Sequence, residues 1–150
     1  MKTKITGLFA AAVLLCLTAT GAVAQDHSRN WENGHVVQIT HVHIKPGMFN
    51  AYINDLNSLW RKSLEIQKKD GHVIDYAMYS NPSAREGEPD LILSVTYKNY
   101  AAFDLGMEYF EKVSKQLKGS MEAMRSAAID REELRTIGST IVLQEVKFAD

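Results

Sequence analysis

The stretch Val36-Val37-Gln38-Ile39-Thr40-His41-Val42-His43-Ile44-Lys45-Pro46-Gly47-Met48-Phe49 decides the fold. Up to Ile44 it is rich in β-branched residues, which suit a pleated, half-buried surface and predict a strand. Lys45-Pro46-Gly47 ends that strand, because proline cannot donate to a ladder and glycine opens the backbone angles of a sharp turn. From Phe49 the period changes. Phe49, Tyr52, Ile53, Leu56, Leu59, Trp60 and Leu64 recur at three and four residues and form one apolar stripe, with Asn50, Asn54, Asn57, Arg61 and Lys62 among the residues on the wet side. Asp70-Gly71 supplies the stop.

Downstream, His72 to Ser80 and Asp90 to Lys98 read as two strands joined by a polar, proline-marked loop, most simply a hairpin. Asn99 then caps a helical region with Phe103, Phe110, Val113 and Leu117 on its buried side. Gly119-Ser120 interrupts it, and a second helical piece runs from Met121 to about Glu133. Gly138 breaks the chain before the last strand, Thr140 to Phe148. The order is β-α-β-β-α-β with a broken second helix: an α+β, ferredoxin-like arrangement over residues 35–150, with both helices on one face of a four-stranded antiparallel sheet. Runs such as Leu91-Ile92-Leu93 and Ile141-Val142-Leu143 leave the other face too apolar for water, which predicts a homodimer.

On the element order over Val36 to Phe148 and the turn Ile44-Lys45-Pro46-Gly47-Met48-Phe49, the chain resembles the dimeric α+β barrel superfamily, which includes the antibiotic-biosynthesis-monooxygenase-like and NIPSNAP-like proteins. The resemblance implies that two copies dimerise into an α+β barrel and that ligands sit between sheet and helices. It sets Gln38 and Thr40 toward that cleft, as polar groups in apolar surroundings, where they either orient a ligand or satisfy local hydrogen bonds. Some members are cofactor-free oxygenases and others degrade haem. The axial histidine of the haem-degrading members is missing, since every histidine here precedes Asn81, and no cofactor is expected.

The N-terminus reads as an export signal. Lys2 and Lys4 precede an apolar run from Ile5 to Leu17, and Ala22-Val23-Ala24 offers small side chains for cleavage. Residues 1–24 are therefore expected to be removed, the product being periplasmic or secreted with no further membrane attachment. Cleavage takes away Cys16, the one cysteine, and with it any disulfide or thiol chemistry. It leaves 15 basic residues against 18 acidic, a net charge of −3. A mildly acidic surface without a basic stripe excludes nucleic acid as the expected partner. Residues 25–34 are polar and expected to be loose, with Trp31 as their anchor.

Among chemistry-bearing residues, His35, His41 and His43 fall on one face of the first strand by alternation. His41 and His43 are weak candidates for metal binding, and no metal is expected, because two imidazoles on a strand without a third ligand do not make a site. Trp60, Tyr76, Tyr79, Tyr97 and Phe103 could stack on a flat apolar ligand, and the same rings also suit an ordinary core. With Gln38 and Thr40 they form the candidate ligand-binding set. Arg131 and Arg135 stand a turn apart, as an anion clasp or a salt-bridged face. Nucleophile elbow, phosphate loop, dinucleotide fingerprint and zinc-protease motif are all absent from the sequence. The expectation is an exported homodimer that binds a small apolar or aromatic molecule. A cofactor-free, monooxygenase-like enzyme and a structural or interaction protein without a pocket are the alternatives.

Overall fold

Gly47, at φ 79°, turns the chain out of the first strand, and the Met48 amide closes the turn on the Lys45 carbonyl at 2.9 Å. A computed structural model shows this turn among the residues it describes, 29–149. The export signal read in residues 1–24 lies outside the described residues.

Strand β1 (Trp31–Ile44) leads through the turn to helix α1 (Phe49–Asp55), a π-helical turn (Leu56–Trp60) and helix α2 (Arg61–Lys69). Strands β2 (Val73–Ser80) and β3 (Leu91–Tyr97) follow, then a 3-10 turn (Tyr100–Phe103), helices α3 (Met107–Lys118) and α4 (Met121–Asp130), and strand β4 (Arg135–Phe148). The sheet order is β2-β3-β1-β4, antiparallel throughout. This is the α+β, ferredoxin-like arrangement expected from the sequence. The break in the second helix is also present: Gly119 takes a left-handed φ of 81°, and the Ser120 hydroxyl caps α4 through the Ala123 amide.

Two expectations are corrected. Trp31 to Gly34, read as loose, are the start of β1, with Trp31 opposite Phe148 and Asn33 opposite Val146. Gly138, read as a break, lies inside β4 as the extra residue of a bulge between the His41–Ser139 and Val42–Ile137 pairs. A side chain at Gly138 would put its Cβ 2.6 Å from His43 Nε2. The glycine thus makes room for the imidazole and lets the strand continue.

The core lies between the helices and the β2-β3-β1 part of the sheet. Val36, Leu64, Val73, Val95 and Tyr97 form one buried cluster, and Val42, Tyr52, Leu56, Leu91 and Leu93 form another. Trp60 packs on both and joins them. The even-numbered residues of β1 are therefore the helix-facing set, as expected. Their odd-numbered neighbours Val37 and Ile39 share the other face with Ile92, Ile141 and Leu143, the last two 40% and 46% exposed. Within β4 only Arg135 is buried. Phe103 and Phe110, expected on a buried side, stay 43% and 39% exposed, while Val113 is buried. Arg131 pairs with Asp55, and Arg135 with Glu132 at 2.6 Å, so the two arginines form a salt-bridged face rather than an anion clasp.

Candidate functional site

The π-helical turn at Leu56–Trp60 interrupts an otherwise regular helix, with the Ser58 hydroxyl donating to the Asp55 carbonyl at 2.9 Å. An inserted residue of this kind rotates the side chains that follow it, and such turns recur at functional sites. Here it borders a cleft of about 480 Å³ between the helix and edge strand β2. Trp60 and Tyr76 form one wall, edge to face with ring centroids 5.4 Å apart. Ile53, Leu56 and Met78 add apolar lining, and Asn54, Asn57 and Arg61 stand at the polar rim.

The rim is wired in a defined way. Arg61 donates from Nη1 to Asn57 Oδ1 at 2.9 Å, one helical turn away. The Tyr76 hydroxyl donates to the Glu65 carboxylate. That carboxylate raises the Tyr76 phenol above its ordinary value, burial adds to the rise, and the Arg61 guanidinium opposes it. Tyr76 is thus a neutral ring whose proton is committed to Glu65. The cleft combines aromatic walls, a thioether, side-chain amides and one guanidinium, the composition of a site for a small flat molecule with an acceptor group.

The other candidates fall elsewhere. Tyr97 donates its hydroxyl to Gln38 Oε1 at 3.1 Å, and its ring leans on Phe103 at 4.9 Å. Burial raises the Tyr97 phenol. Gln38, Tyr97 and Phe103 are therefore one contact group, on the same helix-covered face of the sheet as Trp60 and Tyr76. Thr40 lies 3.3 Å from Thr140, hydroxyl to hydroxyl. Tyr79 pairs with Ile92, on the helix-free face, and is 58% exposed. The structure brings Trp60 and Tyr76 together at the cleft and packs both against the core cluster that contains Tyr97, while Gln38, Thr40, Tyr79 and Phe103 do not line the cleft. It adds Asn57, Arg61 and Met78, which sequence reasoning left out. Asn57 and Arg61 flank Trp60 at helical spacing, which was the available signal. Among the described residues no group of three histidine, cysteine, aspartate or glutamate side chains could hold a metal ion.

No protein-family model matches the chain, and no curated protein matches its sequence. Among solved structures, protein SO0527 from Shewanella oneidensis superposes with a TM-score of 0.51 at 16% identity, covering 78% of this chain and 98% of that one. HapK from Hahella chejuensis gives 0.50 at 6% identity, over 73% and 91%. The chain shares its four-stranded antiparallel α+β fold with these two proteins. A dimeric ferredoxin-like protein from an uncultured marine organism aligns at 0.46 and 8% identity, over 79% and 91%. At these identities the likeness is one of fold alone. The chemistry must be argued from the cleft itself.

Proposed function

We propose that the protein is an exported homodimer that binds a small, flat, largely apolar molecule bearing one hydrogen-bond acceptor, in the cleft beside the π-helical turn. The observation that carries this reading is the meeting of Trp60 and Tyr76 over a 480 Å³ cleft whose rim holds Asn57 and Arg61. Rings that touch edge to face leave a face free for stacking, and a guanidinium favours a carbonyl, phenolate or carboxylate at the rim. A cleft of this kind supports a binding role over a protein without a pocket. Pairing of two copies would cover the apolar, helix-free face of the sheet. Export rests on the basic, apolar and small-residue pattern of residues 1–24.

The test is a titration with 2-naphthoate followed by ¹H–¹⁵N NMR. Saturable shifts at the Trp60 indole N–H and the Asn57 side-chain amide are expected. Shifts that fail to saturate, or that cluster on the helix-free face, would overturn the proposal.

A further inference from the structure

The helix-free face of the sheet is apolar through its middle and carries two histidines at one end. Val37, Ile39, Ile92, Ile141 and Leu143 supply the apolar part. A patch with no charged side chain among these residues is self-complementary, which fits a second copy of the same chain related by a two-fold axis. His41 and His43 follow Val37 and Ile39 in the alternation of β1. His41 Nδ1 lies 2.9 Å from Ser139 Oγ on β4. His43 lies against the bulge where Gly138 leaves out a side chain, and any Cβ there would meet the imidazole at 2.6 Å. The sheet is thus shaped locally around an imidazole.

The residues set beside these two positions in the sheet are uncharged. On β4 they are Thr136, Gly138 and Ser139, on β3 Ile92, and on β2 Tyr79. Past the strand end, Asp90 is committed to the Ile44 amide at 2.7 Å, and Lys45 is cationic. Among the described residues no carboxylate bonds to either imidazole.

We propose that His41 and His43 make the pairing of two copies depend on pH. The inference rests on the homodimer proposed above. A second sheet stacked about 10 Å away takes the imidazoles out of water. Desolvation penalises the charged form, so the paired state prefers neutral imidazole. Association then releases protons. It is complete above the range near pH ~6.5 where free imidazole titrates, and weakens as pH falls through it.

Sedimentation equilibrium from pH 7.5 to pH 5.0 tests this, with circular dichroism at each pH to confirm that the chain stays folded. A dissociation constant about tenfold or more higher at pH 5.5 than at pH 7.5 is expected, the equivalent of one pKa unit. The His41→Asn/His43→Asn double variant should lose that dependence while remaining a dimer. A wild-type dimer unchanged across the range overturns the histidine inference and leaves the homodimer standing. A double variant that keeps the full pH dependence assigns it to other groups and also overturns the inference. A monomer at pH 7.5 overturns the homodimer itself. Should the double variant not fold, the wild-type profile with imidazole shifts read by NMR decides the same question.

Discussion

Trp60 and Tyr76 meet edge to face at 5.4 Å, and Trp60 also packs on both halves of the core. The same ring thus closes the hydrophobic interior and opens onto the cleft. Replacing it, Trp60→Ala, is expected to cost about 2–3 kcal/mol of stability, below the full range for a buried aromatic because the ring is only half-buried. Binding of 2-naphthoate should fall at least tenfold. Arg61→Gln should weaken 2-naphthoate while leaving the melting temperature within about 2 °C, since Arg61 is exposed. Equal affinity in both variants would place the ligand elsewhere.

Gly34 lies opposite the Glu145 carboxylate, which accepts the His35 amide at 2.8 Å. A Cβ at Gly34 would come 2.2 Å from Glu145 Oε2, so Gly34→Ala must expel that side chain and its hydrogen bond. The expected loss is about 1–2 kcal/mol, concentrated in the Trp31–Phe148 ribbon. Hydrogen exchange should show faster opening there than at Val36 to Val42. Uniform protection would contradict the assignment.

Asp55 and Arg131 tie α1 to the end of α4 with side chains only about one-fifth exposed. Asp55→Asn leaves the guanidinium partly buried without its countercharge and is expected to cost about 2 kcal/mol. Arg131→Met with Asp55→Leu should recover much of that loss, since both charges then leave together. Urea unfolding of the three variants checks the order.

Tyr109 donates to Asp70 at 3.1 Å, and Lys112 reaches the same carboxylate at 3.4 Å. The Tyr109 bond is the leading cause that holds the Asp70 carboxyl below its usual range, while burial and that carboxylate push Tyr109 up to about 12. The lowered carboxyl contributes stability above pH ~4 that is lost as pH falls through its value in the fold. The raised phenol contributes below pH ~10 and loses that contribution as pH rises through about 12. Tyr109→Phe should return the Asp70 titration toward the ordinary carboxylate value, read from its carboxyl carbon shift. An unmoved titration would show that Lys112 alone sets it.

The turn at Pro46-Gly47, the stripe from Tyr52 to Leu64 and the stop at Gly71 were legible because each is a local signal of period or backbone freedom. Alternation grouped the residues of β1 into two faces, the resemblance set the even-numbered one toward the helices, and Val36 and Val42 are fully buried on it. The π-helical turn was not legible: Leu56, Leu59, Trp60 and Leu64 keep spacings that suit an unbroken α-helix. Gly138 misled because a glycine that admits a neighbouring side chain looks in sequence like one that ends a strand. Tyr79, Tyr97 and Tyr76 are alike in sequence. Only the pairing register puts Tyr79 on the helix-free face, and only side-chain contacts distinguish Tyr97, bonded to Gln38, from Tyr76, which lines the cleft.

The most direct test of the account is native mass spectrometry of the purified protein sprayed with 2-naphthoate. The account predicts two chains carrying up to two molecules of the probe, and a Trp60→Ala dimer carrying none. A monomer, or a wild-type dimer that takes up no probe, would contradict it.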